Sequence, residues 1–370
     1  MGRTVLHAAC KMMNLGLRPL GFSIERAKVF VEVDVFKKCI ELVKRYAPLA
    51  KFYMAEPKRQ KNVPGSSLIG GDCMRPEVTF VVPVFNNDKY LEQCLESIIN
   101  QSFRTTEVIC INDGSTDRSD RILNNVVRVD SRVRVINNGR NLGAAESRNR
   151  GIRAATGRFI RFVDADDLVP IQSTEILYDR AIVTGSDVVR GSLAHFKRNN
   201  HSKFRSVVLV TDRAKTSLRT DSSLWVPWWH TSYLISTQLI RANNLAYPAL
   251  RQGEDPVFLA SVLVSARQIS LVPDIVYLYR QYRKTSGSGA STFADVADNL
   301  KHAALVKSLF TVHHPDCWDR GYGPFLLGEF RAFIERCRLD TVQVEFVASE
   351  AAKIWGPGVQ LTTADNVFEF

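Results

Sequence analysis

VTFVVPVF, residues 78–85, is an almost unbroken apolar run that stops at Asn86-Asn87-Asp88. A strand with one wet face alternates apolar and polar residues. A run without alternation suits a strand buried on both faces. Working outward, Asp88–Gln101 carries Leu91, Cys94, Leu95, Ile98 and Ile99 at helical spacing, with Asp88 placed to cap it. A second strand is predicted at Glu107–Asn112, a helix at Asp117–Val127, a third strand at Arg132–Asn137, a helix at Gly143–Ala155 and a fourth strand at Phe159–Val163. Strands alternating with helices of this length predict an α/β fold: a doubly wound, mainly parallel central sheet with helices on both faces. Such sheets bind ligands beyond the carboxyl ends of their strands, so the chemistry belongs just after Phe85, Asn112 and Val163.

The flanking sequence divides the 370 residues into three parts. Residues 1–75 hold 14 Lys/Arg against 6 Asp/Glu, so most of the net charge of +11 sits in this extension. A helix is expected over Val29–Tyr46 and a Pro/Gly/Ser/Lys linker over 57–71. The α/β part is expected over 76–291. Beyond the fourth strand it holds a strand at Val207–Val210, helices at Ser232–Asn243 and Pro256–Ala266, and a β-rich run, Ile269–Tyr282, that ends in a basic Ser/Gly-rich loop. Residues 292–370 return to helical periodicity. The composition, 45% hydrophobic and 24% charged, is that of a globular chain, and no run of eighteen apolar residues offers a membrane span. Seven cysteines without a CxxC pair suit a reducing compartment, and the histidines lack zinc-site spacing. The reading is a cytoplasmic protein whose basic extension is either a solvated tail or a contact for an anionic partner such as the inner membrane face.

Polar clusters follow the strands where the sheet rule puts them. After the second comes Asn112-Asp113-Gly114-Ser115-Thr116-Asp117, which serves either as a turn with a helix cap or as a carboxylate for a base or ribose. After the fourth comes Asp164-Ala165-Asp166-Asp167. Three adjacent carboxylates repel one another, and a divalent cation relieves that repulsion. Mn²⁺ or Mg²⁺ takes such hard oxygens and shares them with a diphosphate; an acidic helix cap would use the same residues. A third acidic pair, Glu254-Asp255, opens a helix, where acids also favour the dipole.

In this order, the segments resemble the family 2 glycosyltransferases, which have the GT-A fold. The resemblance runs from Val78 to Ser291 through Pro83-Val84-Phe85-Asn86, Ile111 to Asp117, Asn141 to Ala145, Arg148 to Ile152, Asp164 to Asp167, Gly253-Glu254-Asp255 and Tyr279-Arg280. It implies that Pro83, Phe85 and Asn86 lie against the nucleotide base and that Asp113 binds base or ribose. It also implies that Arg148 lines the nucleotide pocket, and that Asp164 and Asp166 form a DXD motif with Asp166 the metal ligand. Asp255 matches the family's catalytic base. The implied reaction is transfer of a sugar from a nucleotide-diphosphate donor, UDP by default, to a hydroxyl of a saccharide or lipid-linked saccharide. The transfer inverts the anomeric centre and serves cell-surface polysaccharide synthesis. Arg280, with Arg283 and Lys284, opens a loop that either brings charge to the diphosphate or is a plain basic surface loop; the first is expected, with Arg280 the leading candidate. Trp228 and Trp229 offer either an acceptor platform or a hydrophobic cluster, and Glu254 is a further acceptor-side candidate. The family often carries Lys or Arg just after this Trp; here His230 and Thr231 stand instead. Two readings compete: a sugar nucleotidyltransferase, which would want a Gly- and Lys/Arg-rich loop where Phe85-Asn86-Asn87 stands, and a non-catalytic nucleotide-sugar-binding protein of the same fold. A nucleic-acid partner is not expected, because the basic extension lacks interleaved aromatics.

Overall fold

A computed structural model describes residues 75–197, 200–281, 292–362 and 367–369, with backbone alone at 197, 200–206 and 367–369. The helix expected over Val29–Tyr46, the 57–71 linker and the loop cations Arg283 and Lys284 lie outside the described residues.

The opening run forms β1 (Val78–Val84), followed by α1 (Leu91–Ile99), β2 (Thr106–Asn112), α2 (Ser119–Val129), β3 (Val133–Asn137), α3 (Ala144–Ala154), β4 (Phe159–Phe162) and α4 (Ser173–Thr184). β1 pairs in parallel with β2 on one side and β4 on the other, and β2 pairs in parallel with β3. Side chains of β1 alternate between two cores. Phe80, Val82 and Val84 meet Leu91, Cys94, Leu95 and Ile98 of α1 on one face, while Val81 meets Ala145 and Ile152 of α3 on the other. This two-sided burial is why the run shows no polar alternation. Gly151 lets α3 approach closely, since a Cβ there would lie 2.2 Å from Val81 Cγ1.

The sheet continues through β5 (Val188–Lys197), β6 (Asn200–Val208), β7 (Arg213–Thr216), β8 (Tyr233–Ser236) and β9 (Ile269–Gln281), in the order β3-β2-β1-β4-β8-β5-β9-β7 with β6 paired to β5. β8 is antiparallel to both β4 and β5, and β9 is parallel to β5. Two expectations are corrected. The helix read over Ser232–Asn243 is a strand, β8, followed by the short α5 (Thr237–Ala242). Tyr233, Leu234 and Ile235 are buried on both faces, and a short apolar run does not distinguish strand from helix. Asp88 does not cap α1: Tyr90 holds the cap position, and Asp88 pairs with Arg118 instead. The antiparallel β8 has a functional consequence. Its entry, residues 228–232, lies at the same sheet edge as the carboxyl ends of β1, β2, β4, β5 and β9.

α6 (Glu254–Ser265) precedes β9. After it come α7 (Phe293–His313), a turn through Pro315–Cys317 and Trp318–Tyr322, α8 (Gly323–Ile334), α9 (Thr341–Trp355) and the small hairpin β10 (Gln360–Thr362) with β11 (Val367–Glu369). Phe310, Tyr322, Phe330 and Ile354 share one apolar core with Phe162, Phe258 and Leu259. The C-terminal helices are therefore packed onto the sheet's α3/α6 face.

Candidate active site

The acids flagged by the sequence are joined by one guanidinium. Arg148, from α3, reaches Asp164 Oδ1 through Nη2 and Glu254 Oε1 through Nη1, each at 2.9 Å. It is buried and lies 5.3 Å from the Tyr247 ring, so the bridge is shielded from water. One side chain thus ties the loop after β4 to the start of α6, 90 residues apart in sequence (254 minus 164). The two carboxylates hold the Arg148 guanidinium protonated despite its burial.

Asp255 follows on the first turn of α6. Its carboxylate is 35% exposed and Oδ2 lies 3.4 Å from Nδ1 of His230, at the entry to β8. Burial pushes the Asp255 carboxyl up, but the His230 contact and the Arg148 charge outweigh it and hold it below the ordinary aspartate range. Glu254 moves the other way, raised by burial and by Asp255 against the pull of Arg148. The pair thus sits on one helical turn with carboxyls pushed apart, as groups in different roles are. Gly253 makes this turn possible. Its φ is +79°, and a Cβ there would lie 2.7 Å from the His302 ring. His302, on α7, is buried and bonds Tyr322 Oη at 2.6 Å. Tyr322 also receives Trp228 Nε1–H at 3.4 Å, so C-terminal residues underlie the acidic turn.

The Asp164–Asp167 loop is held from β9. Asp167 is buried, accepting the Tyr277 hydroxyl at 2.8 Å and the Arg280 backbone N–H at 2.6 Å. Burial and the neighbouring Asp166 and Asp164 charges push its carboxyl well up. The Asp164 N–H donates to Tyr277 Oη. Asp164 and Asp166 stay half-exposed at the cleft. Among the described residues no three His, Cys, Asp or Glu side chains cluster as a metal site.

Arg280 is not where its charge was expected. It is 1% exposed, its guanidinium lying 4.5 Å from the Tyr90 ring and 4.7 Å from Phe196, and its Nε–H donates to the Asp166 carbonyl at 2.6 Å. This cation, sandwiched between rings, braces the acidic loop. Asp113 is held from within the fold. It is 3% exposed, and its carboxylate accepts Asn138 Nδ2, Leu142 N and Gly143 N at 2.7–2.9 Å, so most of its hydrogen-bonding capacity holds the loop before α3. Gly114 is required beside it: φ is +73°, and a Cβ would strike the Arg140 backbone.

Pro83 and Asn86 lie at the end of β1. Asn86 has φ +47° and accepts Thr116 N–H through Oδ1, joining the first two loops, while Phe85 stands 45% exposed at the edge. Trp229 is also strained (φ +58°). Its ring lies 6.2 Å from His195, while Trp228 packs edge-on to Phe325 of α8. Trp225 bonds the Leu218 carbonyl and packs on the core. A cavity of about 520 Å³ lined by Gly157, Arg158, Asp187 and Arg241 opens at the opposite, amino-terminal edge of β4 and β5, away from these acids. Sequence reasoning missed Tyr277, His302 and Tyr322, and noted His230 only as a departure. Their roles depend on partners dozens of residues away, and no local pattern carries that.

Residues 79–236 match the family model described as Glycosyl transferase family 2. The chain is 29% identical over 252 residues to the glycosyltransferase GlyG of Streptococcus pneumoniae serotype 4, covering 65% of this chain and 80% of that one. It is 30% identical over 216 residues to EpsJ, an uncharacterized glycosyltransferase of Bacillus subtilis, covering 56% of this chain and 62% of EpsJ. Among solved structures, residues 1–349 of S. aureus TarS in complex with UDP-GlcNAc align over 76% of this chain and 89% of that one. The TM-score is 0.55 at 17% identity, a likeness of fold. The fold is therefore of the GT-A type: a mainly parallel central sheet flanked by helices, with a helical C-terminal region.

Proposed function

We propose, for a chain whose residues 79–236 make it a family 2 glycosyltransferase, that it moves a sugar from a nucleotide-diphosphate sugar to a hydroxyl of a saccharide or lipid-linked saccharide, with inversion. Uridine diphosphate is the nucleotide expected, as in the TarS complex. The single observation that carries the reading is the Arg148 bridge between Asp164 and Glu254, which puts the acidic loop and the Asp255 carboxylate on one cleft.

In this reading the base lies against exposed Phe85, with Pro83 and Asn86 shaping the turn. Asp113 acts mainly by fixing the 138–143 loop, with its remaining Oδ2 lone pair turned to the nucleoside. Asp166, with Asp164, supplies the one or two hard carboxylate oxygens by which Mg²⁺ or Mn²⁺ is usually shared with substrate phosphates. When bound, that ion neutralises charge on the leaving diphosphate. Asp255 takes the proton of the acceptor hydroxyl. The oxygen forms its bond to the anomeric carbon as the bond to the diphosphate breaks, so an α-linked donor gives a β-linked product. A carboxyl held low stays ionised and ready as a base, at some cost in basicity. Trp228, Trp229 and Glu254 border the acceptor side. Among the described residues no helix is long and apolar enough to cross a membrane, and contact with a membrane face is assigned to residues 1–75.

Two measurements test this. Calorimetry with Mn²⁺ against UDP-glucose, UDP-N-acetylglucosamine, GDP-mannose and dTDP-glucose should single out one nucleotide, and Asp166→Asn should weaken its metal-dependent binding. Asp255→Asn should bind that donor as the parent does and lose about 10²–10⁴-fold in turnover. Full turnover in Asp255→Asn removes the assignment.

A further inference from the structure

His230 is buried with its ring edge-on to Phe162 and Tyr247, 5.7 Å between centroids in each case. That aromatic box fixes the plane of the imidazole. Among the described residues, Nε2 is buried without a partner, and the one polar contact of the ring is Nδ1 to Asp255 Oδ2. A neutral imidazole carries one N–H, and a carboxylate can only accept, so the proton belongs on Nδ1. The ring has been brought here by β8, whose antiparallel run delivers residue 230 to the catalytic edge.

We propose that His230 is a positioning residue for Asp255: Nδ1–H holds Oδ2, so that Oδ1 is presented to the acceptor hydroxyl. This rests on Asp255 being the base. The proton balance is simple. The acceptor O–H proton ends on Asp255 Oδ1, the electron pair of the breaking C1–O bond leaves with the diphosphate, and the His230 proton stays on Nδ1. The other charged or titratable groups felt by Asp255 are Arg148 from α3, Glu254 beside it, Tyr247, Tyr279 from β9, and His302 and Tyr322 from the C-terminal region. Among the described residues, the side-chain hydrogen bond that holds the Asp255 carboxyl low comes from His230, and the Arg148 charge adds to it. Loss of this hydrogen bond is expected to move the carboxyl up, because burial is then opposed by fewer groups.

The test compares His230→Phe, His230→Asn and His230→Gln, using release of UDP or the other nucleotide selected by calorimetry, with water as acceptor. The Asn amide can occupy the place of Nδ1, whereas the Gln amide reaches toward that of Nε2. Phe and Gln should lose about tenfold or more in kcat, as expected when a charge-assisted hydrogen bond is removed, with donor KM unchanged. Their acid limb should move up by about one pH unit, and Asn should restore both properties. Long-range ¹H–¹⁵N spectra of the parent should show the His230 proton on Nδ1. A Phe variant with the parent's kcat and limb, Asn and Gln variants that behave alike, or a proton on Nε2 overturns the inference. Asp255→Asn is run alongside. If it is inactive while His230→Phe is normal, only this inference falls; if it is fully active, the parent reading falls.

Discussion

Gly253 carries more of the site than its size suggests. It sits one residue before Glu254 and two before Asp255, with φ +79°, and its missing side chain is the space that the His302 ring occupies. Gly253→Ala therefore meets two penalties, a left-handed backbone and a contact of 2.7 Å against a ring held by Tyr322. A strained non-glycine backbone costs about 1–3 kcal/mol. For a domain of this size that lowers Tm by roughly 2–4 °C per kcal/mol. The more telling expectation is kinetic. The shift reaches Asp255 through its own helix, so turnover should fall while donor affinity, which the proposed reading assigns to the ends of β1, β2 and β4, is retained. Scanning calorimetry and donor titration check the two halves. A variant with parental kcat would show that the turn tolerates relaxation and that His302 does not set its position.

At the scale of elements, β9 braces the acidic loop. Tyr277 and the Arg280 N–H hold Asp167, and the Arg280 side chain holds the Asp166 carbonyl. If Arg280 is a brace, Arg280→Ala should cost stability, several degrees of Tm, because it removes the hydrogen bond to the Asp166 carbonyl and empties a slot between Tyr90 and Phe196. Donor binding should weaken as a consequence. If instead the charge met the diphosphate, binding would weaken with Tm unchanged; thermal denaturation beside calorimetry separates the two. This is also where legibility ends. β1, β2 and β4 were readable because burial on both faces removes alternation, and their acidic ends followed from the sheet rule. β5 was not singled out and β8 was misread, because Tyr233–Ser236 is too short to display a period and its strand character comes from pairing with β4 and β5. The acids were legible as residue types. The buried setting of Arg280 was not, since it is defined by Tyr90 and Phe196, far off in sequence, and a basic residue before a Ser/Gly-rich loop looks solvent-facing.

Across the whole molecule, the C-terminal helices and the acidic cleft share one core, and His302 makes that sharing titratable. Burial pushes its imidazole down to about 4, against about 6.5 when exposed, with Asp255 opposing. Tyr322, its hydroxyl proton held by burial, is then the donor to Nε2. The folded chain binds this proton less readily than the unfolded chain does. Stability therefore falls as pH drops from about 6.5 toward about 4, and is full above that window. The shift bounds the contribution at roughly 3 kcal/mol. Asp255, held low, adds its own loss only further down, as pH falls through its depressed pKa. Denaturant unfolding of the parent at pH 7.5, 6 and 5 should show a decline that His302→Asn flattens, with activity at pH 7.5 reporting how well the shortened side chain still supports Gly253. If the helices formed an independent unit, two unfolding transitions would appear and only one would move with pH. A continuous core from Phe162 to Phe310 and Tyr322 predicts a single transition that moves as a whole.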